Sequence, residues 1–297
     1  MIEILELRIN YDYAHLLFKR DEGRDLGQFS KSIKIVELSK DDPRYNQIPI
    51  ISKRVKEKYD EGFFFGWQIK RKYSKKEFEK AKLLQMKIKA MFEPAGEECE
   101  TIYDETMACE ICGANRTQIS LLTLKKNSIP KKDIARTIAG EVVVSEKFVE
   151  VFKQRGLKGA VLEPVVFNKG ASGCYQLIAS SELDLTRNTV AGVNPFDFSE
   201  GSEGVEFTLS GGYPVKFEKE IYKCPKGHTI GLNLLSEAYV LDSPSIKKYD
   251  FFASKQKIGV RRGLLRPEPI YLCSQKFRQM VIEEKLTGFE FEVAHIE

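Results

Sequence analysis

Cys109-Glu110-Ile111-Cys112-Gly113 has the spacing of a zinc knuckle. A tight turn lets two thiolates three residues apart face one point, and the glycine adopts backbone conformations that other residues resist. A knuckle supplies half of a tetrahedral shell. The second half is expected at Cys224-Pro225-Lys226-Gly227-His228, which repeats the punctuation with the second ligand moved one place on to an imidazole. Cys109, Cys112, Cys224 and His228 then form a closed structural set for one zinc per chain, with no position left for substrate. The alternative is three reduced core thiols and a surface-turn histidine.

The two knuckles lie 115 residues apart, and each precedes a similar helix–strand unit. Ser145, Lys147, Phe148, Leu157 and Gly159 recur as Ser274, Lys276, Phe277, Leu286 and Gly288, every pair separated by 129 residues. Val151 and Phe152 meet Met280 and Val281, so the apolar face is kept. Repetition at a fixed offset is the mark of an internal duplication. The expected fold is therefore α+β. Two duplicated halves, about 106–170 and 215–297, each contribute half a metal site and pack a helix on a strand. A smaller N-terminal α+β region covers 1–105. The second half carries the longer insert, mainly before its helix.

In the N-terminal region, Ile2, Ile4, Leu7 and Ile9 read as strand positions, with Leu16 to Phe18 continuing the sheet. The aromatic run Phe63-Phe64-Phe65-Gly66-Trp67 reads as a buried strand from Gly62 to Lys70. Ser74 and Glu77 form a capping box, which predicts a helix from Ser74 to Phe92. Phe78, Ala81, Leu84, Ile88 and Met91 fall on its inner face, and Lys75, Lys76, Lys80, Lys82, Lys87 and Lys89 largely on its outer face. Pro94-Ala95-Gly96 breaks that helix and marks a boundary. Further strands are expected at Gln118–Leu124, Ala160–Phe167, Leu177–Leu185 and Phe289–His295, and an apolar stretch runs from Leu232 to Leu241. Gly156 is placed to end the helix that Ser145 opens.

Of 297 residues, 42% are hydrophobic and 30% charged, ordinary for a chain with a buried core. No apolar run approaches the roughly 20 residues that span a bilayer, and the N-terminus lacks a signal-peptide layout. Six irregularly spaced cysteines do not read as a disulfide scaffold, so a reduced cytoplasmic setting is expected. The net charge of +4 is too small to imply nucleic acid, but it is unevenly spread. Residues 1–92 hold 21 Lys/Arg against 14 Asp/Glu, whereas 93–110 hold seven acids and no base. Residues 182–206 hold six acids against Arg187 alone. Such blocks are solvated faces or steer an oppositely charged partner.

Catalytic signatures are missing: the chain has no zinc-deaminase motif, nucleophile elbow, Walker loop or Rossmann glycine pattern. Cys99 sits among Glu97, Glu98 and Glu100, which disfavour a thiolate. A hydrolase would have to bring Cys174 or Cys273 to His15 or His295. The chain is expected not to be an enzyme.

The two knuckles, together with the Ser-x-Lys-Phe helices at 145 and 274, resemble the double-CxxCG-motif family, which is related to the immunity proteins of bacterial polymorphic-toxin systems. The resemblance covers roughly Thr106 to Glu297. At the second motif Gly227 stands where that family has its second cysteine, and His228 takes the ligand's place. The resemblance implies a zinc-ribbon-like core that binds a cognate toxin domain, often a nuclease, and occludes its active site. Glu97, Glu98, Glu100, Tyr103, Asp104, Asp197, Phe198, Glu200 and Glu203 are the expected toxin-binding residues, the acids steering a basic cleft and the aromatics anchoring it. The runner-up is a nucleic-acid-binding zinc-ribbon protein using the lysine-rich helix with Arg261, Arg262 and Arg266.

Overall fold

Apolar residues alternating through much of the first ten positions form a strand, β1 (Ile2–Asn10), whose Leu5, Leu7 and Ile9 are buried, in the computed structural model. The structure describes residues 1–26, 33–110, 114–167, 170–192, 195–196, 205–208, 214–217, 233–258 and 268–297. The chain divides into two compact units, residues 1–77 with 194–199, and 78–193 with 200–297. The division thus falls well before residue 105.

In the first unit β1 is followed by a single helical turn α1 (Tyr11–Ala14), β2 (Arg24–Asp25), β3 (Ile33–Ser39), α2 (Ile48–Tyr59) and β4 (Phe64–Lys72). The sheet order is β2-β3-β1-β4. Leu5, Leu7 and Ile9 pack with Leu38, Ile48, Val55 and Phe63. Leu16 to Phe18 do not extend the sheet; they close the turn after α1, with Phe18 N bonded to Ala14 O at 2.9 Å.

The expected helix from Ser74 to Phe92 is cut short. Its capping box forms: Glu77 Oε2 accepts from Ser74 N at 2.7 Å, and Ser74 Oγ accepts from Glu77 N at 3.2 Å. The helix, α3, covers only Lys75–Lys80. Leu83, Leu84, Gln85 and Met86 are consecutively buried, which a one-faced helix does not permit, and they form a central strand, β5 (Leu83–Ile88).

The second unit continues with β6 (Met91–Phe92), β7 (Tyr103–Asp104), β8 (Thr117–Gln118), β9 (Ile134–Thr137), β10 (Val142–Ser145), α4 (Glu146–Gln154), β11 (Ala160–Phe167), β12 (Gly170–Ala179) and β13 (Glu182–Leu183). After these come β14 (Ala191–Gly192), β15 (Val205–Thr208), β16 (Pro214–Phe217), β17 (Asn233–Leu234), β18 (Ala238–Val240), β19 (Phe251–Lys257), β20 (Pro269–Cys273), α5 (Gln275–Glu283) and β21 (Phe289–Ile296). The strands expected at Ala160–Phe167 and Phe289–His295 therefore form. Gln118–Leu124 keeps only β8 and one bridge from Thr123 to Val166. Leu177–Leu185 is split between β12 and β13.

Two sheets of like topology make this unit. One runs β11-β12-β10-β9-β6, the other β13-β19-β20-β5-β21-β18. In β9-β10-β12-β11 and in β19-β20-β5-β21 every neighbour is antiparallel. Beyond each run lies a parallel partner, β6 beside β9 and β13 beside β19. At the far end Thr123 bridges β11 in parallel as β18 pairs with β21. Gln85 in β5 and Gln176 in β12 occupy matching places, facing Leu272 and Val143 respectively, two positions that lie 129 apart.

Helices α4 and α5 are capped alike: Ser145 Oγ accepts from Phe148 N and Ser274 Oγ from Phe277 N, both at 3.2 Å. Their apolar faces meet, with the Phe148 and Phe277 rings 5.9 Å apart and Phe251 and Phe289 closing the cluster.

Two aspartates lock the sheets together. Asp133 Oδ2 accepts from Thr287 N at 2.7 Å and Thr287 Oγ1 at 2.9 Å, while its Oδ1 accepts from Ser145 Oγ at 2.9 Å. Asp250 Oδ2 accepts from Lys158 N at 3.1 Å and its Oδ1 from Ser274 Oγ at 2.8 Å. Behind them Thr287 O receives the amides of Asp133 and Ile134, and Lys158 O those of Asp250 and Phe251. The chains come so close here that the next residue must be glycine. A Cβ on Gly288 (φ +98) would lie 2.3 Å from Ile134 O, and one on Gly159 (φ +104) 2.2 Å from Phe251 O.

Asp133→Ala is expected to lower the unfolding free energy by about 2–4 kcal/mol, because it strands three donors; chemical denaturation measures it. Burial pushes the Asp133 carboxyl up, but the Thr287 amide and hydroxyl, the Ser145 hydroxyl and Lys147 outweigh it and hold the group below its usual range. The depressed value makes this stabilisation present above the unfolded carboxyl value of about 3.9 and lost as pH falls below it. The stability gap to Asp133→Asn should narrow in that acid window. Gly288→Ala should cost more than about 2 kcal/mol, from positive φ and the blocked carbonyl together.

Candidate metal centre and binding face

Cys109 sits at the end of a hairpin. β7 and β8 pair antiparallel, Tyr103 with Gln118 and Asp104 with Thr117. Between them Ala108 N bonds to Glu105 O at 3.0 Å and Cys109 N to Ala114 O at 2.7 Å, closing the loop on itself. Asn115 takes a left-handed φ of 67° to turn the chain back. Cys109 is buried. A buried thiol on a closed hairpin turn is a place where a thiolate ligand fits. Cys112, Cys224 and His228 lie outside the described residues. Among the described residues no group of three or more His, Cys, Asp or Glu is placed to hold a metal ion.

Two further thiols, Cys273 and Cys99, are poor nucleophiles. Burial pushes Cys273 well up. Cys99 is also raised, by burial first and by Glu98 and Glu141 less, against the Lys125 amide and charge. His295 Nε2 lies 2.9 Å from Glu237 Oε2 and its ring stacks on Tyr239, while His15 is exposed in the first unit.

The acidic segment is largely built into the hairpin. Arg116 pairs with Glu97 through Nη1 and reaches Glu105 Oε1 at 2.9 Å through Nε. The second contact is ionic and off hydrogen-bond geometry, which leaves Nε buried without an aligned acceptor. The guanidinium lies 3.8 Å over the Tyr103 ring, and the Tyr103 hydroxyl donates to Glu141 at 2.5 Å. Glu98 Oε2 accepts from Ala95 N at 2.8 Å. Asp104 Oδ1 accepts from the hydroxyl and the amide of Thr106, which together hold its carboxyl below the usual range. Glu100 is exposed, in a left-handed conformation. Tyr103 is thus tied inward rather than offered as an anchor. Asp197, Phe198, Glu200 and Glu203 lie outside the described residues.

Composition alone did not single out the apolar side chains on the same segments. Ile102 is 59% exposed, Met107 76%, Ile119 64% and Leu121 44%. Ile119 N bonds to Ile102 O at 3.0 Å, so these two isoleucines are cross-strand neighbours. The signal was present as the pattern around Tyr103 and Gln118, but the short strands hid which face was outward.

The lysine-rich surface expected of one long helix is divided: Lys75, Lys76 and Lys80 lie on α3, whereas Lys82, Lys87 and Lys89 lie beyond it. Lys87 pairs with Glu292, and Lys89 lies 3.7 Å from Glu290, both along β5 and β21. Arg261, Arg262 and Arg266 lie outside the described residues. No helix of the described residues is long and apolar enough to cross a membrane.

Arg116→Ala should lower the melting temperature by several degrees, since it removes the ion pairs to Glu97 and Glu105 and the cation over the Tyr103 ring at once; a thermal melt checks this. Compared with known proteins, the chain matches no family model and no curated sequence.

Proposed function

We propose that the chain is a zinc-stapled immunity protein that neutralises a cognate bacterial toxin domain, of nuclease type, by covering its active site. The observation that carries the binding role is the face of the β7–β8 hairpin, where Ile102, Met107, Ile119 and Leu121 stand in water on a segment whose exposed acids include Glu97, Glu98, Glu100, Glu105 and Glu110. Apolar side chains rimmed by one sign of charge suit a protein partner of opposite sign, the apolar groups giving affinity and the acids speeding encounter. A nuclease cleft is such a partner, because it is basic to hold phosphates. The class of partner comes from the resemblance to the double-CxxCG-motif family. In this role the chain performs no chemistry and works in the cytoplasm.

One zinc per chain, held by Cys109, Cys112, Cys224 and His228, pins the hairpin that carries this face. Residues 83–167 and 174–296 are tandem copies. Supporting this are the matched clasps of Asp133 and Asp250, the matched caps of Ser145 and Ser274, and the places shared by Gln85 and Gln176. The separation between equivalents grows from 91 at the glutamines to 117 at the aspartates and 129 at the serines. The last increase falls between Lys257 and Pro269, so an insert precedes the second helix there.

Where a nuclease-toxin domain is encoded beside this chain, co-expression of the two should give one complex by gel filtration and abolish the toxin's nuclease activity. Ile119→Glu should weaken that complex at least tenfold, about 1.4 kcal/mol, with its melting temperature unchanged. Full protection by an Ile102→Glu/Ile119→Glu double variant would remove the hairpin face from the interface. Elemental analysis should find about one zinc per chain, lost together with thermal stability in Cys109→Ser. A variant that keeps both its zinc and its melting temperature would overturn the metal assignment.

A further inference from the structure

The first unit holds a cavity of about 430 Å³ that the hairpin face and the metal leave unexplained. The Asn10 side chain accepts from Asp12 N at 3.2 Å and starts the single turn of α1. That turn sets Tyr11, His15 and Phe18 around the opening, and Lys19, Arg20 and Lys34 complete a basic wall, with Asp12 as the one acid in the lining. Lys34 is the unusual member. Its side chain is only 4% exposed, yet its ammonium has one short hydrogen bond among the described residues, 2.6 Å to Arg20 O. The nearest carboxylate, Asp25, is 3.9 Å away and itself largely exposed, and the Tyr11 ring lies 5.7 Å from the nitrogen. An ammonium has three donors, and burying one so thinly partnered is unfavourable unless an anion completes its shell.

We propose that this cavity binds a phosphate-bearing small molecule with an attached flat ring, of nucleotide size. The phosphate meets Lys34, Lys19 and Arg20, and the ring lies along Tyr11. The volume falls within the range of about 300–1,000 Å³ usual for small-molecule sites. Three cations against Asp12 in the lining, with Asp25 beside Lys34, favour an anion over a neutral ligand. The site is independent of the toxin interface and stands or falls without it.

Isothermal titration of the full chain with ADP and with inorganic pyrophosphate, at about 150 mM salt to screen diffuse attraction, tests the site. Saturable ADP binding with a Kd below about 1 mM is expected, with pyrophosphate weaker because it lacks the ring. His15→Glu places an acid at an exposed position of the mouth, so folding is untouched, and it should weaken ADP at least tenfold. Lys34→Met should do the same, and Lys53→Ala on α2, outside the cavity, should change nothing. Absence of saturable ADP binding would overturn the proposal. So would an unaffected His15→Glu variant, equal losses from His15→Glu and Lys53→Ala, or pyrophosphate binding as tightly as ADP.

Discussion

Everything in the larger unit depends on two short carboxylate clasps. Asp133 and Asp250 each stand just before a strand, hold the serine that caps the following helix, and receive an amide from the far sheet. One side chain thereby fixes a helix start and a sheet-to-sheet junction together. The carbonyl behind each aspartate's partner accepts two further amides, and the glycine that follows allows backbone to lie against backbone. The phenylalanines of α4 and α5 fill the space these clasps define. Their burial provides the bulk of the stabilisation, and the clasps decide the register in which it is realised.

A rigid double sheet is a suitable mount for a hairpin that meets another protein. The β7–β8 hairpin is short, and two strands alone are marginal in water. It is held by Arg116, which gathers two glutamates and a tyrosine face, and its loop is closed by the Cys109–Ala114 bond. A metal at Cys109 would add a third constraint at the tip. Holding the isoleucines out on a stiff support reduces the ordering cost of association.

What could be read from sequence was what local chemistry writes locally. Ser145 and Ser274 announced their helices because an N-cap hydroxyl and a following apolar face need no distant partner. The offset of 129 between them was likewise visible. Ser74 and Glu77 announced a helix start just as clearly, but nothing local told where it stopped. Leu84 and Ile88 satisfy a helical spacing and a strand equally well, and only the neighbours supplied by β20 and β21, nearly 200 residues on, make the segment a strand. For the same reason the correspondence of Gln85 with Gln176 was hidden: the flanking residues differ, and the match exists in pairing partners. The exposed isoleucines were hidden because strands of two residues show no alternation. The aspartate clasps left no pattern in sequence, since Asp133 and Thr287 meet only in the folded chain.

β12 lies between the two strands that flank α4, and β5, far earlier in the chain, lies between the two that flank α5. Synthesis from the N-terminus gives these insertions a time order. The first sheet can close its centre once β12 has left the ribosome, but β5 emerges early and finds its two neighbours only when β20 and β21 arrive near the end of the chain. For about 200 residues of translation, roughly ten to forty seconds at common elongation rates, a four-residue strand centre, apolar at three positions, waits with both edges open. The nascent chain therefore passes through a prolonged stage in which Leu83 to Met86 lack both of the strands that flank them in the finished sheet.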